Sequence, residues 1–171
     1  YIKHLQADCN LRGTCIYTRN NLSVNEKEMT PKYDDSTWLE IITTESTRAL
    51  IGCIYRSLNA SEETSKKLHE CLLETSKSNV YDNVIVVGDF NHPGVDWDKW
   101  DIDKKKKSVK KEKELHFLDQ VLEYYWHQNI RENTRGRGST EPSLVDLIFT
   151  NREDVISNID HTSPLGKVTI A

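Results

Sequence analysis

The stretch of sequence that decides the fold is Asn83-Val84-Ile85-Val86-Val87-Gly88-Asp89-Phe90-Asn91. Its run of apolar, β-branched residues predicts a strand that is buried on both faces. Gly88 ends the run and allows a sharp turn, so we expect Asp89 and Asn91 at the carboxyl end of the strand. If the backbone stays extended through Phe90, the two polar side chains share one face and Phe90 points into the core.

A carboxylate and a carboxamide that face one spot are suited to metal-assisted phosphoryl chemistry. A hard divalent cation binds oxygen ligands from one or two carboxylates and keeps water in its remaining positions. Asp89 could bind such an ion or orient an attacking water, and Asn91 could donate a hydrogen bond to a phosphate oxygen. The spacing leaves a second interpretation open, in which both residues cap their own backbone in a turn that closes the strand.

Length and composition limit the alternatives. The chain has 171 residues, which predicts a single domain over residues 1–171. Charged residues make up 29% and the net charge is -4, so bulk attraction to nucleic acid is excluded and a polyanion would need a local positive patch. The chain begins with Tyr1 rather than Met, and we expect a piece of a longer polypeptide.

The four cysteines are scattered and form no CxxC pair. Buried thiols and a reducing, intracellular compartment are therefore expected. The sequence contains no apolar run of about 18 residues and no signal peptide at its start, so we expect no association with a membrane.

Local patterns predict an alternation of strands and helices. Strands are expected over residues 13–19, 38–44, 49–56 and 143–150, with the second and third forming an antiparallel hairpin. Residues 1–12 are predicted to be a loop, and residues 22–37 a loop that leaves room for a short strand. A helix should begin at Asn59, with Glu62 completing the capping-box spacing, and bury Leu68, Cys71, Leu72 and Thr75. A second helix should bury Leu115, Leu118, Val121, Leu122 and Tyr125, which predicts a sheet covered by helices.

Three further features have more than one interpretation. The lysine run of residues 104–107, 110, 111 and 113 is either a solvated loop or a phosphate contact. His116 and His127 are expected to be surface or core residues rather than a metal pair. The glycine-punctuated loop 133–140 carries Arg135 and Arg137, whose guanidinium groups are suited to phosphate.

Asp146 is an anomaly because it lies among apolar residues of a predicted strand. A buried, ionised carboxylate is costly unless it is paired, hydrogen-bonded or near a metal. We therefore expect a partner for Asp146: an arginine in a structural ion pair, a catalytic imidazole that it orients, or a metal ion.

Four blocks of sequence, taken in order, resemble one known family. They are Ile54-Tyr55-Arg56-Ser57-Leu58-Asn59, residues 87–97 (VGDFNHPGVDW), residues 143–151 (SLVDLIFTN) and Ser163-Pro164-Leu165-Gly166-Lys167. Together they resemble the endonuclease domain of non-LTR (LINE-type, jockey-like) retrotransposon polyproteins, a branch of the endonuclease/exonuclease/phosphatase, DNase I-like, family. The resemblance extends from about Gly13 to Lys167.

The resemblance implies an α/β fold: a four-layer sandwich of two packed mixed sheets flanked by helices, incomplete in this chain. It also implies an active site at the upper edge of the sheets and a divalent metal, Mg2+ or Mn2+. In such enzymes a water attacks a DNA phosphodiester and leaves a 3'-hydroxyl that primes reverse transcription. DNA, a reverse transcriptase domain of the parent polyprotein and a nuclear location are further implications.

The resemblance also assigns roles to individual residues. Asp89 would bind the metal and position or deprotonate the water, and Asn91 would bind the scissile phosphate. Tyr55 would offer its phenol to the phosphate or the leaving oxygen, and Asp146 would orient the catalytic histidine. Four further residues are expected to bind the substrate or to support the site: Thr134, Arg135, Arg56 and Asn59. Trp97 is expected to pack in the protein rather than to bind DNA.

Two departures from the family pattern weaken the expectation of activity. The segments that carry the first Asn and the metal-binding Glu are missing before Tyr1, and the Ser-Asp-His triplet does not follow Lys167; His161 is a poor substitute. Each such loss typically costs about 100-fold to 1000-fold in rate, so we expect an inactive or weak enzyme. A phosphomonoesterase of the same fold and a non-catalytic DNA-binding or structural remnant are the alternatives.

Overall fold

The computed structural model describes residues 1–7, 13–43, 46–102, 111–136, 141–160 and 162. Several predicted features therefore lie outside the described residues: the lysines of residues 104–110, Arg137, Cys9, His161 and the block 163–167. The strands are β1 (Ile2–Ala7), β2 (Gly13–Thr18), β3 (Ser23–Glu26), β4 (Ser36–Ile42), β5 (Arg48–Tyr55), β6 (Asn83–Asp89), β7 (Val95–Asp96), β8 (Asp101–Ile102), β9 (His127–Gln128) and β10 (Asp146–Thr150). The helices are α1 (Glu62–Ser76) and α2 (Lys111–Glu123), and a 3-10 helix spans Glu153–Val155.

The main sheet is mixed and has the strand order β3-β4-β5-β6-β10-β9. Strands β5 and β6 run parallel, and α1 connects them, as a parallel pair requires. The other neighbours in this sheet are antiparallel. Because β6 and β10 are antiparallel, the carboxyl end of β6 lies beside the start of β10.

One face of the main sheet carries the hydrophobic core. Alternate residues of the central strands are buried there and pack against both helices; they include Leu50, Ile54, Val84, Val86, Leu147 and Phe149, with Leu68 and Leu72 from α1 and Phe117, Leu118 and Val121 from α2. Burial of each such side chain contributes about 1.5 to 3 kcal/mol. The predicted α/β architecture, a sheet covered by helices, is confirmed.

The opposite face of the sheet is only partly covered. Strands β1 and β2 form an antiparallel pair that packs on β4 and β5. The hydroxyl groups of Thr14 and Thr37 form a hydrogen bond across this contact, with their oxygens 2.6 Å apart. Ile85 and Val87 of β6 are half-buried on this face. The expectation that β6 is buried on both faces is therefore confirmed for one face and wrong for the other.

The described elements correct two local predictions. Residues 1–12 were expected to be a loop, but β1 occupies part of them, since its inward-facing His4 contacts Glu26 and Thr18 at 2.8 and 3.2 Å. Helix α1 is capped by Ser61, whose hydroxyl accepts the Thr64 amide hydrogen at 3.0 Å, and not by Asn59. Its predicted buried face is confirmed.

The second helix has a narrower apolar face than its periodicity predicts. Leu118 and Val121 are buried, whereas Leu115 and Leu122 are exposed and Tyr125 lies beyond the end of α2. The described cysteines, Cys15, Cys53 and Cys71, are free, and only Cys71 is fully buried. Neither described helix has the length and apolar character needed to cross a bilayer.

Candidate active site

Three of the predicted site residues meet at one edge of the main sheet. Tyr55 is the register partner of Asp89 across the parallel pair β5 and β6. Asp89 is in turn the partner of Asp146 across the antiparallel pair β6 and β10. Residues paired in this way place their side chains on the same face, with Cα atoms about 5 Å apart. Tyr55, Asp89 and Asp146 therefore form a row across three adjacent strands.

Gly88 makes the close approach of β5 and β6 possible at this edge. Its φ is +148°, in a region that L side chains rarely adopt. A Cβ atom at this position would lie 1.8 Å from the carbonyl oxygen of Ile54, which belongs to rigid backbone. A side chain at position 88 would push the strands apart and move Asp89 away from Tyr55.

Asp89 lies between an arginine and a second carboxylate. Its Oδ1 accepts the backbone N–H of Asn91 at 3.0 Å, and its Oδ2 lies 3.3 Å from Nη2 of Arg135. Burial raises the pKa of Asp89, and the charge of Asp146 raises it further. Arg135 and the hydrogen bonds from Asn91 lower the pKa only in part. The carboxylate pair is thus repulsive, and a cation placed between its members would relieve that repulsion.

Asn91 departs from the extended geometry that the sequence predicts. Its φ is +50°, so the chain turns at this residue rather than continuing the strand. The side chain is 5% exposed, and Nδ2 donates to the carbonyl oxygen of Arg56 at 2.8 Å. The interpretation of these residues as a capped turn is therefore right for the backbone, because the Asp89 carboxylate accepts the backbone N–H of Asn91. The Asn91 side chain does not cap its own backbone but holds the chain after β5 in place through the carbonyl of Arg56.

Asp146 is exposed, so the expectation that it needs a partner to offset burial is wrong. Side chains alternate along β10, and the neighbouring Val145 and Leu147 take the buried face while Asp146 faces outward. Its backbone N–H donates to Oγ1 of Thr134 at 2.9 Å. Within the described residues no hydrogen bond joins its carboxylate to an imidazole.

Thr134 and Arg135 hold the loop that precedes β10 against the site. Oγ1 of Thr134 also accepts the N–H of Val145 at 3.2 Å, so this hydroxyl fixes the start of the strand. Arg135 exchanges backbone hydrogen bonds with Ser143 at 2.9 and 2.8 Å. The guanidinium group of Arg135 is thereby positioned over Asp89.

Arg56 and Asn59 lie away from the row. Arg56 follows Tyr55 and so points to the opposite, helix-covered face, where it is 2% exposed. Its Nη1 is 3.4 Å from the carbonyl oxygens of Phe90 and Asn91, which places it behind the turn that carries the site. Asn59 lies in an exposed turn before α1, where its amide is 3.4 Å from Oγ of Ser57.

The sequence matches the family model described as endonuclease-reverse transcriptase over residues 49–166, which is more than half of the chain. The chain belongs to the endonuclease-reverse transcriptase family. The matched range contains all of the row and the loop before β10, and the predicted membership in the endonuclease/exonuclease/phosphatase, DNase I-like, group is confirmed. No curated protein matches the sequence.

One solved structure agrees with the fold that this family implies. The endonuclease domain of TRAS1, a telomere-specific non-LTR retrotransposon, superposes with a TM-score of 0.53 at 15% identity, covering 79% of this chain and 56% of that domain. An endonuclease/exonuclease/phosphatase family protein from Leptotrichia buccalis gives a TM-score of 0.41 at 11% identity, covering 80% of this chain and 62% of that one. The 171-residue chain therefore spans just over half of the length of the TRAS1 domain.

Two residues that support the site were missed by sequence reasoning. Tyr33, in a predicted loop, is buried and donates its hydroxyl to the carbonyl oxygen of Tyr55 at 3.1 Å. Glu114 is 3% exposed in α2, and its Oε1 accepts the N–H of Gly94 at 2.9 Å, which anchors the loop after Asn91. The Pro93-Gly94 pair was the available signal for that tight loop.

The donor set at the edge fits a hard cation that keeps most of its water. Among the residues that the structure describes, no group of three or more His, Cys, Asp or Glu side chains is arranged to hold a metal ion. Asp89 and Asp146 supply two carboxylates, the number that a Mg2+ site typically takes from the protein. Trp97 packs against Phe117 and Phe149 in the core, as predicted.

Proposed function

We propose that the row of Tyr55, Asp89 and Asp146 hydrolyses DNA phosphodiester bonds with Mg2+ or Mn2+, as the nicking endonuclease of a retroelement. The observation that carries the proposal is the register that pairs Asp89 with both other residues. Membership of a family described as endonuclease-reverse transcriptase supports DNA as the substrate. The same description supports a reverse transcriptase domain in the parent polypeptide, and a nuclear location would follow.

Each residue has a role that its position allows. Asp89 and Asp146 would hold the cation, which when bound would polarise the scissile phosphate as a Lewis acid. Asp89 accepts a hydrogen bond or a proton from the attacking water. The water oxygen bonds to phosphorus, and the bond to the 3' oxygen breaks, so the product carries a 3'-hydroxyl. Tyr55 donates its phenolic hydrogen to the phosphate or to the leaving oxygen.

Arg135 and Asn91 complete the proposed site in different ways. The guanidinium of Arg135 pairs with Asp89 in the free protein and is suited to a phosphate oxygen when a strand is bound. The Nδ2 of Asn91 donates to the carbonyl oxygen of Arg56, and the same side chain hydrogen-bonds Asp89, so Asn91 would hold that carboxylate in place. Thr134 positions this loop through the backbone of β10.

The rate of the 171-residue chain should be low. The described part of the chain supplies two carboxylates to the site, and within it no imidazole is bonded to Asp146. Each missing group that stabilises developing charge lowers the rate by about 100-fold to 1000-fold. These losses act on one transition state and do not simply add.

A nicking assay on supercoiled plasmid with Mg2+ or Mn2+ tests the proposal. If the chain relaxes the plasmid, and both Asp89→Asn and a chelator abolish that relaxation, the result supports the site and contradicts the expectation of inactivity. Relaxation that Asp89→Asn leaves unchanged contradicts the proposed site. Release of phosphate from small monoesters, measured in parallel, would instead indicate a phosphomonoesterase. Salt-sensitive DNA binding without any hydrolysis would indicate the non-catalytic alternative.

A further inference from the structure

A second concave site lies on the helix-covered side of the molecule, between α1 and α2. Its cavity volume is about 600 Å³, within the range of about 300 to 1,000 Å³ typical of small-molecule pockets. Arg56 lies at its floor, and its walls include Ser65 and His69 of α1 and His116, Gln120 and Tyr124 of α2. The Arg56 side chain points away from the row at the sheet edge, so this groove is distinct from the proposed nuclease site.

The groove gathers buried polar atoms that have no partner among the described residues. They are Nε of Arg56, Oγ of Ser65, Nε2 of His69 and Oε1 of Gln120. Native structures satisfy about 90% or more of their buried polar groups, with protein or with ordered water. All four atoms belong to residues that line this one groove, so a polar occupant that reached them would satisfy groups that the protein leaves without a partner.

The charge of Arg56 determines the sign of that occupant. Its side chain is 2% exposed and forms no ion pair within the described ranges, where its hydrogen bonds go to two neutral carbonyl oxygens. Burial lowers the pKa of Arg56, and the nearby charges of Glu114 and Asp89 do not fully restore it. A buried cation that forms no direct ion pair is costly, and the buried carboxylate of Glu114 offsets only part of that cost, so an anion bonded to the guanidinium would stabilise it further.

The walls of the groove determine the shape of the occupant. The rings of His69 and His116 are 5.2 Å apart, edge to face, and Tyr124 adds a third ring further along α2. The mouth carries both signs of charge, including Lys113 and Glu62 at 4.0 Å from each other. The lining glutamates (Glu62, Glu70 and Glu112) outnumber the lysines (Lys66 and Lys113), so attraction for an anion has to come from Arg56 at the floor.

We propose that the groove between α1 and α2 binds a small aromatic carboxylate, with the guanidinium of Arg56 holding the carboxylate and the imidazoles holding the ring. A guanidinium fork matches carboxylate geometry, and rings pack favourably edge to face. Ser65 donates its hydroxyl to the second carboxylate oxygen. The site does not depend on the proposed nuclease function, because Asp89 and Asp146 take no part in it.

Benzoate is the probe that tests this site on the 171-residue chain. Titration with benzoate should shift the ring-proton NMR signals of His69 and His116 saturably, with a Kd on the order of 1 mM. Benzamide has the same shape without the charge and should bind at least about tenfold more weakly. Inorganic phosphate is the second comparison. At a simple oxyanion site phosphate would bind with the same affinity as benzoate, whereas at the proposed aromatic site it should bind more weakly.

Variants locate the binding. Arg56→Gln and Ser65→Ala should each weaken benzoate binding, the first by at least about tenfold, while Arg152→Gln, an exposed arginine paired with Asp154, should leave it unchanged. Ser65→Ala keeps the test usable if Arg56→Gln does not fold, since alanine suits a helix. The proposal is overturned if benzamide binds as well as benzoate, if phosphate matches benzoate, or if neither histidine ring responds, which would mean that water fills the groove. Asp146→Asn should not alter benzoate binding, so failure here is separable from failure of the nuclease proposal.

Discussion

Asp89 and Asp146 are direct cross-strand partners in β6 and β10, so two carboxylates stand side by side at one edge of the main sheet. Like charges in such a pair are destabilising, and this chain keeps them together with one arginine nearby. The arrangement raises the pKa of Asp89 and leaves a cation as the natural means of neutralising the pair. The first two predictions test this electrostatic relationship from opposite directions.

Replacing Asp146 with Asn should lower the pKa of Asp89. The substitution removes a neighbouring negative charge that disfavours ionisation of Asp89, while the contribution of burial remains. Carboxyl carbon NMR titration measures the pKa directly. Asp119→Asn, an exposed aspartate of α2, is the matched control and should leave the Asp89 titration in place. An unchanged Asp89 pKa in the Asp146 variant would mean that the two carboxylates do not interact.

Replacing Arg135 with Gln should raise the pKa of Asp89 further. Nη2 of Arg135 lies 3.3 Å from Oδ2 of Asp89 and favours the ionised form. The same titration measures the change, and Arg152→Gln is the matched control because Arg152 pairs with Asp154 instead. A lower pKa in the Arg135 variant would contradict the ion pair.

Gly88→Ala should be strongly destabilising. Its Cβ would meet the Ile54 carbonyl oxygen at 1.8 Å, and its φ of +148° is unfavourable for alanine, so we expect a loss of about 3 kcal/mol or more in the free energy of unfolding. Gly136→Ala is the control, since among the described residues its Cβ would meet Pro142 alone, at 3.9 Å, and the change in stability should be less than about 0.5 kcal/mol. Urea denaturation compares the two. Equal effects would mean that β5 and β6 are not closely apposed.

His69 should make the fold sensitive to acid. Burial, followed by the neighbouring His116 and Arg56, lowers its pKa from 6.5 to about 4. The unfolded chain therefore binds the proton first as pH falls below 6.5, and the free energy of unfolding should drop by about 3 kcal/mol between pH 6.5 and pH 4 from this group. His69→Gln should remove this part of the pH dependence, measured by denaturation at several pH values.

The more exposed His127 provides the control for that experiment. His127→Gln keeps His69 in place and should therefore keep the acid sensitivity that His69 gives to the free energy of unfolding. If His69→Gln and His127→Gln changed the slope equally, His69 would not be the buried, neutral imidazole that the structure describes.

Local chemistry predicted the parts of the fold that depend on neighbouring residues. The β-branched run before Gly88 predicted β6 and its end, and two strand-like runs joined by a short connection predicted the β4–β5 hairpin. The pairing of Asp89 with Asp146 was different, because periodicity says nothing about which strands become neighbours. The resemblance of the sequence blocks to a family implied that both residues belong to one active site, and the structure supplies their cross-strand register.

Predictions failed where tertiary contacts override local preference. Ser61 and Asn59 are both good cap residues, and only packing of α1 selects Ser61. In α2, Leu115 is exposed, whereas Glu114 is buried and its carboxylate accepts the N–H of Gly94. The apolar periodicity therefore predicted the wrong residues for the buried face of this helix. Asp146 was assumed to be buried with its apolar neighbours, although alternation along a strand places it outside.

Paramagnetic broadening by Mn2+ tests the central claim most directly, because it reports where a divalent cation binds whether or not the chain cleaves DNA. Substoichiometric Mn2+ should broaden the backbone amide NMR signals of Asp89, Asn91 and Asp146 first, and Asp89→Asn should restore them. Broadening that concentrates elsewhere, for example at Glu112 in the first turn of α2, or that persists in Asp89→Asn, would contradict the assignment of the sheet edge as the catalytic site.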